Sequence, residues 1–273
     1  MSVHGYRLEH QDKVAVVIFD RPERRNAFDE AMWCDLERVT AQLAQSLPRA
    51  IVVTGAGKAF CAGFDVNPDN PQVAGLIGAV ERKERAPVEA LISRLQAAVD
   101  GLASLPVPVI AAINGDAFGG GAELASRCDL RIMDPAARIC FSETRLGLMP
   151  DWGGGPGLAK LIGASAAADL ILTGRRIGAD EAFGLGLINR VSAPGQTLEE
   201  AIDLAGTIAQ NGPRAVRHAL AVIRRVHELP MQQALELERN AAVELIVSGE
   251  CMHGITAFLS KQEPVFPDIP PDE

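Results

Sequence analysis

Between Val14 and about residue 190, short β-branched runs alternate with segments of helical periodicity, and beyond that only helical periodicity remains. Val14 to Phe19 (VAVVIF) reads as a buried strand ending at Asp20 and Pro22. Met32, Trp33, Leu36, Val39 and Leu43 recur at helical spacing, predicting an amphipathic helix that ends near Pro48. Ala50 to Thr54 is the next strand, stopped by Gly55 and Gly57. Asn67 to Pro87 is polar, carries three prolines and a run of charges, and reads as a mobile loop or loosely held helix. Leu91, Ile92, Leu95, Ala98, Val99 and Leu102 mark another helix. Strands follow at Val107–Ile113, Leu130–Met133, Arg138–Phe141 and Leu187–Val191. The remainder predicts helices at roughly 197–210, 213–227, 230–248 and 250–260, then a tail from Pro264 to Glu273 rich in proline and acid. An α/β core followed by a helical C-terminal region is the natural division.

Composition removes several function classes. A chain of 273 residues with 48% hydrophobic content supports one large domain, with or without a small appendage. The net charge of −9, the lack of a basic stripe and only 4% aromatics argue against nucleic acid. The five cysteines (34, 61, 128, 140 and 251) are odd in number and irregularly spaced, as free thiols in a reducing compartment would be. Cys251 and His253 are near neighbours without a second ligand pair, so no metal site is expected. The N-terminus lacks the pattern of a signal peptide, and no apolar run is long enough for a bilayer. The expectation is a cytoplasmic protein.

The common phosphate loops are missing, as is a Gly-x-Ser-x-Gly elbow, and no histidine lies near a glycine-rich turn. Two other segments carry the chemistry. Lys58 to Val66 (KAFCAGFDV) follows a strand and a glycine turn; Ala112 to Leu124 (AINGDAFGGGAEL) follows a strand and enters a helix. A glycine triplet opening a helix leaves backbone N–H groups unpaired and lets a ligand approach them closely. The helix dipole favours negative charge at the same point.

Together these segments resemble the two signatures of the crotonase superfamily, the enoyl-CoA hydratase/isomerase family. The resemblance runs from Arg-Pro-x-x-x-Asn-Ala at 21–27 to the C-terminal helices. It implies a ββα spiral core over 1–195 with the CoA and acyl site, a helical assembly region over 196–263, and a flexible tail over 264–273. It implies that the amides of Phe64 and Gly120 form an oxyanion hole for the thioester oxygen. Fixed donors stabilise the enolate-like charge without reorganising, and losing one typically costs about 2.7–4 kcal/mol.

The resemblance also implies that Glu123, on the first turn of the helix opened by the triplet, and Glu143, just past a strand, flank a water. One activates it for attack at C3 and the pair delivers a proton to C2. Two close carboxyls can share one proton, because like charge and burial both raise a pKa. The structural alternatives are an acid stabilising a helix N-terminus for Glu123 and a surface acid paired with Arg145 for Glu143. Asp151 keeps a second reaction open. Dienoyl-CoA isomerases resemble this chain in carrying acids at all three positions, and an isomerase uses acids spaced along the acyl chain. A dehalogenase branch has an aspartate at the third position but lacks the two glutamates. The structural alternative for Asp151 is a helix cap, and for Trp152 core filling rather than lining the acyl pocket.

By motif position, Arg24, Ala27, Ala62, Asp65 and Val66 match places that hold the nucleotide end of CoA, the last three largely through backbone groups near the adenine. Gly119 and Leu146 join the substrate-binding set, and Phe258 and Lys261 match C-terminal residues that reach the nucleotide, often across a subunit boundary. Family members are usually trimers or pairs of trimers. The resemblance thus implies an enoyl-CoA hydratase with an acyl-CoA thioester as partner, no separate cofactor, and a homotrimer or hexamer. The competing readings are a double-bond isomerase using Asp151 and a CoA-binding protein without catalysis.

Overall fold

All six residues from Val14 to Phe19 are buried, because the strand they form is covered on both faces. The computed structural model describes residues 2–3 and 5–269. Its main sheet contains β1 (Ser2–Val3), β2 (Gly5–Gln11) and β3 (Val14–Asp20), which pair antiparallel in chain order. Helix α1 (Glu30–Gln45) follows, capped by the Asp29 side chain, which accepts the N–H of Met32. Next come β4 (Ala50–Gly55), β5 (Ala59–Cys61), α2 (Pro71–Arg82) and α3 (Arg85–Ala103). Then β6 (Val109–Ile113), β7 (Asp116–Phe118) and α4 (Gly120–Arg127) repeat the order. After β8 (Leu130–Met133) and β9 (Ile139–Cys140), the chain makes a 3-10 turn at Glu143–Leu146. Helices α5 (Gly154–Ile162), α6 (Ala164–Thr173) and α7 (Ala179–Gly184) lead to β10 (Arg190–Val191).

The seven-stranded sheet has the order β1-β2-β3-β4-β6-β8-β10, parallel from β3 onward, and the three-stranded sheet has the parallel order β5-β7-β9. Each of β4, β6 and β8 therefore hands the chain across a short turn to one strand of the small sheet. This is the ββα spiral that the family resemblance implies. Asn114 staples two of these turns together: its amide donates to the Gly55 carbonyl at 2.8 Å and its oxygen accepts the Gly55 N–H at 3.1 Å. On one face of β3, Val14, Val16 and Ile18 pack with Ala201, Ala205 and Ala209 of α8 (Thr197–Ala209). On the other, Ala15, Val17 and Phe19 join a larger core with Trp33 and Leu36 of α1 and Leu95 and Val99 of α3.

The C-terminal helices α8, α9 (Pro213–Arg225), α10 (Met231–Val247) and α11 (Glu250–Leu259) lie within a few residues of their expected ends. Among the described residues no single helix is long and apolar enough to cross a membrane. Of the two readings of 67–87, the helix holds for most of the stretch: Asn70 caps α2 through the N–H of Gln72, and the prolines at 71 and 87 sit in the first turns of helices, where no donor is lost. The last strand shrinks to Arg190–Val191, because the Leu187 N–H closes onto the Ala182 carbonyl at the end of α7. The start of the tail is tied down by the buried Arg49, which donates to the Phe266 carbonyl at 2.7 Å and the Asp268 carboxylate at 2.9 Å.

Candidate active site

The first donor segment is held from one side only. The Phe28 N–H donates to the Gly63 carbonyl at 2.7 Å, and the Asp65 N–H donates to the Phe28 carbonyl at 2.9 Å. Strand alternation then turns the intervening N–H of Phe64 to the opposite edge, away from Phe28. Asp65 anchors this geometry: its buried carboxylate takes Arg21 Nη1 at 2.7 Å and the side-chain amide of Asn67. Burial pushes the Asp65 carboxyl up, but the hydrogen bonds from Asn67 and Arg21 outweigh it and hold it below the ordinary carboxylate range.

Asn26 supplies a second anchor. Fully buried and left-handed at φ 56°, it donates to the carbonyls of Ala59 at 2.8 Å and Ala56 at 3.0 Å. Its oxygen accepts the Arg21 N–H at 3.0 Å. The Arg-Pro-x-x-x-Asn-Ala stretch is therefore a brace under the donor segment.

The second donor segment approaches the first at a distance only glycine permits. Gly120 is the first residue of α4, where an amide has no intrahelical partner. A methyl group on Gly63 would come within 2.7 Å of the Gly120 nitrogen, and Gly63 itself has φ 85°. A methyl on Gly120 would come within 2.5 Å of the Trp152 ring, and one on Gly121 would collide with the Cys61 carbonyl. The Phe64 and Gly120 segments thus lie side by side.

Glu123 projects from the first turn of α4 and is completely buried. Its carboxyl does not cap α4. Instead it receives the amides of Asp151 at 3.2 Å, Trp152 at 2.8 Å and Gly154 at 2.8 Å, where the chain turns into α5. Burial nonetheless dominates and, with the neighbouring Glu143, pushes this carboxyl up to about 8 against the pull of the Gly154 amide. Glu143 opens the 3-10 turn after β9, and both its carboxyl oxygens are buried without a well-aligned hydrogen-bond partner. Burial raises it as well, and the polar groups that act on it are its own backbone, the Glu123 carboxyl and the charge of Asp151. It is not paired with Arg145, whose Nε is directed to the Thr173 carbonyl at 3.4 Å. Two buried acceptors in contact need a proton between them, so the pair is built to hold one at neutral pH.

Asp151 is half-buried, and that burial raises its carboxyl. It does not cap α5: Gly153 occupies that position, with no side-chain cap. Trp152 is buried in an aromatic cluster, its centroid 4.5 Å from Trp33 and 5.4 Å from Phe28. It fills the core rather than lining an open pocket. The clamp of amides at 151–154 was not foreseen from the residues. Its one sequence signal is the second glycine run, Gly153 to Gly155: a methyl on Gly154 would collide with the Glu123 side chain.

The structure therefore brings Phe64, Gly119, Gly120, Glu123, Glu143 and Asp151 together. Arg24 pairs with Asp69 at 2.7 Å. Ala27 is buried, Ala62 half-buried, and Val66 and Leu146 are exposed. Phe258 and Lys261 stand apart, on α11 and just beyond it, with Phe258 81% exposed. A cavity of about 710 Å³ lies elsewhere, between the β2–β3 turn, α8 and Pro264–Phe266, and no residue of the carboxylate cluster lines it. Chemically, the cluster offers two backbone amides to a developing oxyanion and a carboxyl pair able to give and take one proton.

Known proteins are similar to this chain over nearly its whole length. The profile of the family described as Enoyl-CoA hydratase/isomerase matches residues 9–269. A short-chain-enoyl-CoA hydratase of Clostridium acetobutylicum is 34% identical over 96% of this chain and 97% of its own. A crotonyl-CoA hydratase of Syntrophomonas wolfei is 33% identical over 97% and 99%. The crystal structure of an enoyl-CoA hydratase from Bacillus anthracis superimposes with a TM-score of 0.85 at 34% identity, covering 96% of this chain and 98% of that one. With its spiral core and paired signature segments, the chain belongs to the enoyl-CoA hydratase/isomerase family of the crotonase superfamily.

Proposed function

We propose that this protein is an enoyl-CoA hydratase, adding water reversibly across the double bond of a 2-enoyl-CoA thioester. The observation that carries the reading is the buried Glu123–Glu143 pair beside the amides of Phe64 and Gly120. The thioester oxygen accepts both amides. One carboxylate of the pair takes a proton from water as its oxygen attacks C3, and the pair returns a proton to C2. Charge builds on the thioester oxygen during attack, which is where fixed donors lower the barrier. Close relatives named as hydratases support the same reaction. Coenzyme A is part of the substrate, and no further cofactor enters. Arg24, Ala27, Ala62, Asp65, Val66, Gly119 and Leu146 surround the thioester and nucleotide in this reading.

Exposed apolar side chains on the C-terminal helices, including Val247, Phe258 and Leu259, suit burial against other copies. A trimer or pair of trimers would carry Phe258 and Lys261 to a neighbour's nucleotide.

A second reaction has one specific support. Asp151 shares the loop that clamps Glu123, and its charge acts on Glu143, so a third acid borders the proton pair. Double-bond isomerisation in an enoyl- or dienoyl-CoA would use it as the distal proton carrier. Purified protein with crotonyl-CoA decides between them: loss of the conjugated thioester absorbance with formation of 3-hydroxybutyryl-CoA is the expected result. Migration of the double bond in longer enoyl-CoAs without hydration would instead establish the isomerase.

A further inference from the structure

One residue bridges the second donor segment and the buried acid, touching both Gly120 and Glu123. The Trp152 ring lies flat enough against Gly120 that a methyl there would come within 2.5 Å of three ring carbons or slightly more. The backbone N–H of the same residue donates to Glu123 at 2.8 Å. Its ring packs against Trp33 and Phe28, and the Phe28 main chain holds both neighbours of Phe64. Trp152 is thus in direct contact with one oxyanion donor and with the buried acid, and one ring away from the other donor. A buried indole in a cluster of edge-packed rings is a rigid spacer, because close-packed interiors transmit small displacements.

We infer that Trp152 is a positioning residue that sets the distance between the Gly120 amide and the Glu123 carboxyl. This rests on the proposed use of those two groups in one reaction. The thioester oxygen and C2 are joined through a single carbon, so donor and acid must keep a fixed separation, and a misplacement near 1 Å can cost about 100-fold in rate. The ring fixes Gly120 from below; the backbone of the same residue fixes Glu123 from the side. Nothing in the reaction requires the indole to touch substrate.

The experiment is a double-mutant cycle between Gly120→Ala and Trp152→Phe, with Trp152→Ala as a harsher variant, each checked for folding by circular dichroism. Gly120→Ala keeps the donor amide but pushes against the ring, and Trp152→Phe yields space while retaining an aromatic core. Each single variant should lose kcat with little change in KM, Trp152→Ala by about 100-fold. The double variant should lose less than the product of the singles. A second readout does not require turnover. Acetoacetyl-CoA, an enolisable 3-ketoacyl thioester, should show an enolate absorbance band when bound to the wild type, weakened in Trp152→Phe at saturation. Multiplicative losses in the cycle, or an unchanged band at saturation, would overturn the positioning role. Absence of wild-type hydration with a normal enolate band would count against the proposed reaction while the band still tests Trp152.

Discussion

Glu123 on α4 accepts the backbone N–H of Trp152 at 2.8 Å, so the central acid is oriented by a loop 29 positions further along the chain. The amides at the start of α5 stabilise its anion while burial stabilises the neutral form, and burial is the larger effect. An acid poised this way can change charge near neutral pH, which reversible proton transfer requires.

Replacing either glutamate tests the pair directly. Glu123→Gln and Glu143→Gln should each lower kcat for crotonyl-CoA hydration by roughly 10²–10⁴-fold, with KM changed far less. Steady-state assays with acyl-CoA binding measured separately check this, and full activity in either variant would remove the two-glutamate mechanism.

The pH dependence follows from the raised carboxyl. Activity that needs one proton on the pair should decline as pH rises through about 8. Stability should move in the same direction. A carboxyl whose folded value lies above its unfolded value binds more protons when folded, so it adds no penalty below the unfolded value and a growing one as pH climbs to 8. Glu123→Gln should therefore raise the melting temperature relative to wild type at pH 9 and not at pH 4. Calorimetry at the two pH values measures it; an equal effect at both would show that the carboxyl is not protonated near neutrality.

Asp151→Asn separates the two candidate reactions. Under the hydratase reading, hydration survives, while the alkaline limb of the profile moves to lower pH because a negative neighbour of Glu143 has been removed. Loss of hydration in Asp151→Asn, with the protein still folded and still binding acyl-CoA, would transfer the central chemistry to Asp151.

Asn26→Ala should destabilise the fold by roughly 2–4 kcal/mol, since it strands buried carbonyls and the Arg21 amide. Its φ of 56° adds strain for alanine. Urea unfolding with an unchanged slope and a lower midpoint is the expected record.

The ease of reading different elements from the residues varied for physical reasons. Val14–Phe19 and the C-terminal helices are legible because burial on both faces, or on one stripe, imposes its own period. Asn67–Pro87 stayed open between loop and helix because proline and charge are equally at home in loops and in first helical turns, and α2 buries only Gln72 and Ala79. The roles of Asn26 and Gly63 were hidden because their partners lie in other turns: the carbonyls of 56 and 59, and the nitrogen of 120.

The paired glycine-rich segments around Phe64 and Gly120 were legible as candidate donor sites in the sequence, and the family resemblance assigned the two amides. Main-chain donors depend on glycine and on a strand meeting a helix, and both are written in consecutive residues. What the tertiary structure decided was the company those donors keep. Glu143 reaches Glu123 because β9 pairs beside β7, and residues 151–154 clamp Glu123 because α5 begins against α4. Such meetings depend on strand order and on close packing between distant segments, which no short window of residues encodes.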